Sequence, residues 1–223
     1  MFAVSRTCTG VCATLFAVLS ISCASNPTRG EFARGDCVSG GTTEERELAR
    51  AAFAELPPAV RGVAEEIHIT DSCRGFTSRL IVGFHHRGGP MCIREGRVTR
   101  MVIWHEPGHA HFHTLSNEAQ EQWEGFVDAD LFHGEGINIV VPGAYPAHGM
   151  ITSYGGTNAD ENYAEWVAWL TCYLHGHGGG YGGADIASVD RSDPVYLRIL
   201  QFFRAHDVLT EEEFGRVKPL FVK

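Results

Sequence analysis

Residues 104–113 have the sequence Trp-His-Glu-Pro-Gly-His-Ala-His-Phe-His and contain the pattern H-E-x-x-H, from His105 to His109. Residues four apart on an α-helix are separated by about 40° of rotation and roughly 6 Å of rise. His105 and His109 can therefore both present a ring nitrogen to one metal ion. Glu106 follows His105 directly, and its carboxylate can reach a water held by that metal. The spacing predicts a metal that lowers the pKa of water and a carboxylate that takes the released proton.

The Pro-Gly pair between the two histidines does not suit a helix that only has to be stable. In a helix interior, Pro107 removes the hydrogen bond to the carbonyl of Ile103 and costs about 3 kcal/mol. Gly108 adds about 1 kcal/mol, although it permits another backbone to come close. We expect either a kink at Pro107 or a helix that begins late enough to place Pro107 in its first turn. The pair favours a functional segment over the alternative of a histidine-rich surface helix.

The length and composition indicate one folded domain behind a processed N-terminus. The chain has 223 residues, 44% of them hydrophobic and 20% charged, which is ordinary for a globular protein with a substantial core. The formal net charge of −9 argues against a surface that binds nucleic acid.

Residues 1–24 have the layout of an export signal. Arg6 precedes an apolar run at residues 11–21, which is too short to span a bilayer, and small residues follow the run. Cleavage after Ala24 would give a secreted protein. The alternative is a bacterial lipoprotein signal, in which Cys23 becomes the lipidated first residue and anchors the protein to a membrane of the cell envelope.

Four of the seven cysteines lie beyond the export signal: Cys37, Cys73, Cys92 and Cys172. An even number of cysteines in an exported chain suggests disulfide bonds. We favour a bond between Cys73 and Cys92, because these residues bracket a predicted strand hairpin. Four buried free thiols are the alternative.

The domain at residues 42–223, which follows a linker at residues 25–41 rich in Gly, Ser, Thr and Asn, is predicted to be α+β. Capping signals and helical periodicity indicate the helices, and alternating apolar residues indicate short strands. The predicted helices cover residues 42–56, 59–66, 100–114, 117–131, 158–174 and 193–206, with a short final helix from residue 210. The predicted strands cover residues 67–70, 79–86, 91–93 and 137–141.

A zinc site of this kind needs a third protein ligand. His111 and His113 follow on the same helix, but three imidazoles along one helix cannot converge on one tetrahedral ion. The pattern that places Gly and His three and six residues after the second His is absent, because Phe112 and Leu115 occupy those positions. A glutamate from a later helix is the remaining common arrangement. Glu161, in a later predicted helix, fits it.

Glu161 and Glu165 share a helix face, where like charges repel unless something positive lies beside them. They belong to residues 153–165, Ser-Tyr-Gly-Gly-Thr-Asn-Ala-Asp-Glu-Asn-Tyr-Ala-Glu. This segment resembles the corresponding part of the anthrax lethal factor protease domain and of the related Pro-Pro endopeptidases, which are zinc metallopeptidases of the gluzincin type. In that family a Tyr precedes the ligand Glu by seven residues and a second Glu follows it by four, as Tyr154 and Glu165 do here.

The resemblance implies a zincin-like single domain, in which a small sheet accompanies one helix with the H-E-x-x-H pattern and a second helix with the glutamate ligand. The implied ligands of one zinc ion are His105, His109 and Glu161. The resemblance also implies Glu106 as general base, Tyr154 as the hydroxyl that stabilises the oxyanion, and Glu165 as a hydrogen-bond partner of a ligand histidine. Two positions depart from the family: Asn162 replaces an aromatic residue, and Pro107 stands where the family has a residue that suits a helix.

These observations favour an exported zinc endopeptidase that hydrolyses peptide or protein substrates. Two other classes of function remain as alternatives. One is a non-catalytic envelope protein of the same fold that binds a peptide or a partner, which Pro107 favours. The other is a histidine-rich metal-binding protein, supported by the further histidines His111, His113, His133, His148, His175 and His177.

Overall fold

The structure, a computed structural model, describes residues 38–64, 66–73, 82–85, 90–127, 149–152, 154–177 and 192–222. These residues form an α+β fold with a small mixed sheet and seven α-helices, as the sequence predicts. None of the helices in these ranges is both long and apolar enough to cross a membrane. The predicted export signal with Cys23 and the strand predicted at residues 137–141 lie outside the described residues.

The described strands of the sheet are β1 Val38–Gly40, β2 Ile67–Ile69, β3 Gly83–His85 and β4 Met91–Ile93. Their order across the sheet is β1-β2-β4-β3, with β1, β2 and β4 parallel and β3 antiparallel to β4. The strands predicted at residues 67–70 and 91–93 are confirmed. Strand β3 is the described part of the strand predicted at residues 79–86.

The first strand corrects the boundary of the linker predicted at residues 25–41. Residues 38–40 pair with β2 in the sheet, where Val38 is buried and in register with Ile67. Glycine and serine in this segment are typical of a linker, but strand formation depends on the neighbouring strand more than on local propensity. The folded domain therefore begins before residue 42.

A disulfide bond joins Cys73, which follows β2, to Cys92 in β4, the pairing that the sequence favours. It ties the chain that leaves β2 to a central strand of the sheet. Cys172 has a buried free thiol, and Cys37 lies outside the described residues.

Most of the described helices begin at capping residues that the sequence marks clearly. The helices are α1 Thr43–Glu55, α2 Pro58–Arg61, α3 Arg100–Phe112, α4 Asn117–Glu124, α5 Ala159–Leu174, α6 Pro194–Ala205 and α7 Glu211–Val217. The side chains of Thr42, Asn158 and Asp193 accept hydrogen bonds from backbone N–H groups in the first turns of α1, α5 and α6. These three capping residues are the first residues of the helices predicted at 42–56, 158–174 and 193–206.

Two helices are shorter than predicted. The helix expected at residues 59–66 is the single turn α2, and α4 stops at Glu124, although the prediction extended to residue 131. Each helix ends at a glycine, Gly62 or Gly125, which occupies the C-cap position. Glycine has a low helix propensity, so the apolar periodicity beyond these positions did not extend the helices.

Helix α3 runs from Arg100 through Pro107 to Phe112, so the alternative of a late start is wrong. The Thr99 side chain accepts a hydrogen bond from the Val102 N–H and fixes the beginning of the helix well before the proline. The packing of its buried residues stabilises the helix in spite of the hydrogen bond that the proline removes.

Helices α3 and α5 pack with almost no space between their backbones at Gly108. A side chain there would place its Cβ 2.7 Å from the Cα of Ala164 and 3.4 Å from the Cβ of Val167. Helix α5 is buried throughout residues 162–172, so α3 lies against the centre of the core. The small residues at this contact let the functional side chains of the two helices converge.

An aromatic cluster joins α4, α5 and α6. The Trp123 ring lies edge-to-face with Tyr163 and Phe203, at centroid distances of 4.9 and 5.1 Å. The Trp123 indole N–H donates to the carbonyl of Ala159 at 3.0 Å, so the ring is buried with its polar atom paired. Trp123 is therefore part of the core, and the cluster stabilises the position of α5.

We expect Gly108→Ala to lower the free energy of unfolding by about 2 kcal/mol, because the added methyl group meets the Ala164 backbone. The gain in helix propensity, about 1 kcal/mol, is smaller than the cost of moving two packed helices apart. Urea unfolding followed by circular dichroism measures the change. Gly215→Ala in α7 is the matched control, since a Cβ there meets nothing within 4 Å, and it should leave the stability unchanged or raise it. Equal effects of the two substitutions would contradict the close packing at Gly108.

Candidate metal centre

Helix α3 presents His105 and His109, and the first turn of α5 places Glu161 against them. His105 Nε2 lies 3.0 Å from His109 Nε2 and 3.0 Å from Glu161 Oε2. His109 Nε2 lies 3.3 Å from the same Glu161 oxygen. The structure thus brings together the three residues that the sequence singled out, and this group could hold a metal ion.

The other nitrogen of each imidazole contacts a carboxylate. His105 Nδ1 lies 2.9 Å from Glu165 Oε1, and His109 Nδ1 lies 2.7 Å from Asp160 Oδ1. An Nδ1–H that donates to a carboxylate leaves the Nε2 lone pair directed at the site. Two such lone pairs and the Glu161 oxygen then face one another, and a cation among them removes their mutual repulsion.

Asp160 is a site residue that sequence reasoning missed. Its second oxygen, Oδ2, lies 3.1 Å from His113 Nε2, so one carboxylate contacts both His109 and His113. In the sequence, Asp160 is only a favourable charge at a helix N-terminus. The sequence did contain a signal for Asp160, namely its position directly before Glu161. Neighbouring residues of a helix are about 100° apart, so the Asp160 side chain lies to one side of Glu161.

The remaining histidines of residues 104–113 lie outside the metal-binding group. His111 is buried, and its Nδ1 lies 2.7 Å from the Tyr163 hydroxyl. Burial, helped by the nearby His206, lowers the pKa of His111 to about 4, so the ring is neutral at pH 7. His113 contacts Asp160 instead of the ligand atoms. The histidine run therefore divides into separate roles and does not form one site.

A chain of hydrogen bonds fixes Glu165 from the side away from His105. The Thr152 hydroxyl donates to Glu165 Oε2 at 2.6 Å and accepts from the Gly155 N–H at 3.0 Å. Thr152 and Glu165 are both buried. The chain connects His105 with the turn that precedes α5. Thr152 was also missed, because the segment before this turn has no periodic pattern in the sequence.

The carboxylates around the two imidazoles favour positive charge in the site, supplied either by protons on the rings or by a cation that replaces them. Burial alone would lower the pKa of His105, but hydrogen bonds to Glu161 and Glu165 outweigh it and raise this pKa to about 9. Burial would raise the pKa of Asp160, yet the contact with His109 lowers it to about 2. Burial would likewise raise the pKa of Glu161, and the contacts with His109 and His105 hold it well below its usual value. Asp160 and Glu161 therefore stay ionised around the two imidazoles.

Glu106 lies beside the metal-binding group. The residue is 9% exposed, and burial raises the pKa of its carboxyl against the opposing charges of His109 and His105. Gly83 of β3 lies directly against this side chain, since a Cβ at Gly83 would be 2.9 Å from Glu106 Oε1. A buried carboxyl with a raised pKa takes up and returns a proton more readily than an exposed carboxyl does.

Tyr154 begins the 3₁₀ turn Tyr154–Gly156, just before α5. Its ring centroid lies 5.8 Å from that of His105, and its hydroxyl lies close enough to Glu161 for that carboxylate to act on the pKa of the phenol. Burial, and after it the negative charge of Glu161, raises the pKa of this phenol. The hydroxyl therefore keeps its proton and is available as a donor in the space beside the ligand atoms.

No protein-family model matches the chain, and no curated protein or solved structure matches it significantly. What the chain can do therefore rests on the geometry of its own residues. Within the ranges that the structure describes, His105, His109 and Glu161 are the group of side chains that could hold a metal ion.

Asp160→Asn should weaken the binding of Zn²⁺ about 10-fold or more, because a neutral amide holds the His109 ring less firmly than a carboxylate does. Competition with a chromophoric chelator at pH 7 measures the affinity. Asp71→Asn is the matched control, since Asp71 is largely exposed and lies 3.6 Å from Arg94 on the surface. An affinity that is the same in Asp160→Asn and in the unchanged chain would contradict the role given to Asp160.

Proposed function

We propose that the chain is a zinc-dependent endopeptidase with a zincin-like fold, which hydrolyses peptide bonds with Glu106 as the general base. One observation carries the proposal. The donor atoms of His105, His109 and Glu161 converge at separations of 3.0–3.3 Å beside a buried glutamate. Two helices that are distant in the sequence supply these atoms, and the resemblance of both motifs to the gluzincin peptidases supports the same function.

The donor set suits zinc better than other common ions. Zinc binds imidazole nitrogen and carboxylate oxygen at about 2.0–2.2 Å, and donors around such a tetrahedral ion lie about 3.3 Å apart. Catalytic zinc sites use three protein ligands and leave a fourth position for water or substrate. Carboxylates on the distal imidazole nitrogens, here Glu165 and Asp160, are typical of zinc sites. Magnesium and calcium prefer oxygen ligands and suit two imidazoles poorly.

Each residue of the site has a chemical task in this mechanism. Zinc, when bound, would lower the pKa of water and polarise the peptide carbonyl. Glu106 would take the water proton and return it to the leaving amine, a task for which its raised pKa is suitable. The Tyr154 hydroxyl would donate a hydrogen bond to the oxyanion as negative charge develops there. Glu165 and Asp160 would hold the two imidazoles in the required tautomer.

We further propose that the substrates are peptides or proteins outside the cytoplasm. The export signal at residues 1–24 supports either a lipoprotein anchored through Cys23 or a protein secreted after cleavage at Ala24. The bond between Cys73 and Cys92 supports export as well, since disulfides persist in oxidising compartments. The net charge of −9 does not suit nucleic acid as a partner.

A non-catalytic binding protein of the same fold is the second candidate, and Pro107 is the observation that favours it. The proline lies inside α3, and the donor atoms of His105, His109 and Glu161 still lie close together. The histidine-rich metal-binding protein has less support. Some of the histidines that suggested it have other partners, since His111 contacts Tyr163 and His177 contacts Glu55 at 3.1 Å.

Glu106→Gln should lower kcat/KM by about 10²- to 10⁴-fold, because an amide cannot take the proton from water. Zinc should still bind at one ion per chain, since Glu106 is not among the donor residues. Digestion of casein by the zinc-loaded chain, with a chelator-treated sample as the blank, measures the activity.

Glu121→Gln, at an exposed glutamate on α4, is the matched control and should be fully active. A Glu106→Gln variant with the same kcat/KM as the wild-type chain would refute the mechanism. A zinc-loaded wild-type chain without any activity on casein or on a random peptide mixture would favour the binding protein instead.

Gly83→Ala should lower kcat about 10- to 100-fold and leave the affinity for zinc unchanged. The added methyl group would lie 2.7 Å from Val102 Cγ1 and 2.9 Å from Glu106 Oε1, so it displaces the general base. Val102→Ala removes only the contact with the valine. The double variant should therefore remain impaired, and full recovery of kcat in it would show that Glu106 had not been displaced.

A further inference from the structure

Asn162 is the residue after Glu161, and its side chain is fully buried. Neither Nδ2 nor Oδ1 of this amide has a hydrogen-bond partner in the described part of the chain. Buried polar side chains are nearly always paired, and an unpaired one requires an explanation. An aromatic or aliphatic side chain at this position would be easier to bury. The fold alone therefore does not account for the asparagine.

The amide lies against the turn that carries Tyr154. A Cβ at Gly155 would be 3.1 Å from Asn162 Nδ2 and 3.3 Å from Asn162 Cα. The glycine thus lets the backbone of the turn approach the amide more closely than other residues would. The unpaired amide of Asn162 therefore lies next to the backbone of this turn.

The hydrogen bonds of the turn hold Tyr154 beside the metal-binding group. Its carbonyl accepts from the Thr157 N–H at 3.0 Å, and the Gly155 N–H donates to Thr152 at 3.0 Å. Its ring centroid lies 5.8 Å from that of His105, and its hydroxyl lies close enough to Glu161 for that carboxylate to raise the pKa of the phenol. A hydroxyl on the Glu161 side must turn towards the oxyanion before it can stabilise the developing charge.

We propose that Asn162 is a positioning residue whose amide pairs with the backbone of the turn Tyr154–Gly156 when Tyr154 moves from Glu161 to the substrate. The inference rests on the proposed peptidase function. The hydrogen bonds gained by Asn162 offset the cost of moving the turn, so the engaged arrangement becomes accessible. While Tyr154 lies beside Glu161, the Asn162 amide is unpaired. The unpaired amide lowers the stability of the fold, and such losses of stability are found at functional sites.

The test is a double-mutant cycle between Asn162→Leu and Tyr154→Phe, with kcat, KM, zinc affinity and Tm measured for each variant. Leucine has a similar size and no polar atoms, so Asn162→Leu should raise Tm by roughly 2–4 °C. It should lower kcat about 10-fold, the effect of one hydrogen bond lost in the transition state. KM and zinc affinity should stay the same. In the Tyr154→Phe background, Asn162→Leu should have no further effect on kcat.

Several outcomes would overturn the inference. An Asn162→Leu variant with the kcat of the wild type would do so, and the proposed function would stand. An equal loss of kcat in both backgrounds would show that Asn162 acts independently of Tyr154. If the leucine variant does not fold, Asn162→Ala and Asn162→Ser are compared, and serine must retain more of kcat than alanine because it can still form a hydrogen bond. A zinc-loaded wild-type chain without peptidase activity overturns the proposed function, and this inference with it.

Discussion

The partly buried contact between the imidazoles of α3 and the carboxylates of α5 is the interaction on which the rest of the structure depends. Charged groups removed from water are tolerated when they are paired. Asp160 pairs with His109, Glu165 pairs with His105, and Glu161 approaches both rings. These contacts set the tautomer of each ring and direct both Nε2 atoms at one carboxylate oxygen. A cation at that point completes the arrangement.

The fold brings α3 and α5 close enough together for this contact to form. Gly108 and Ala164 allow the two helices to touch, and the aromatic cluster around Trp123 holds α5 in the centre of the core. Several features of the same region reduce stability: Pro107 inside a helix, the buried carboxyl of Glu106 and the unpaired amide of Asn162. Features that conflict with stability and lie together are characteristic of functional sites. Their concentration around one group of side chains is an independent argument for activity.

Local signals in the sequence predicted most helices, and they singled out the three residues that the structure brings together in a group that could hold a metal ion. The capping residues Thr42, Asn158 and Asp193 act on their own first turns, so their effect does not depend on the tertiary structure. Glu161 could be found because two histidines on one helix limit the positions that a third ligand can occupy. The strand at residues 38–40 could not be predicted, since its pairing with β2 depends on a distant segment. The contacts of Asp160 with His109 and His113 become visible only when α3 and α5 are packed together, although its place beside Glu161 in the sequence was a hint. The contact of Thr152 with Glu165 becomes visible only when the segment before the turn lies against α5.

X-ray absorption at the zinc edge of the zinc-loaded chain identifies the atoms that surround the ion. A site formed by His105, His109 and Glu161 gives nitrogen and oxygen ligands at about 2.0–2.2 Å, with the scattering of two imidazoles and no sulfur at about 2.3 Å. Glu161→Gln should change this shell, while Glu121→Gln, on the exposed surface of α4, should leave it the same. A sulfur ligand, three or more imidazoles, or a shell that does not respond to Glu161→Gln would contradict a site formed by His105, His109 and Glu161.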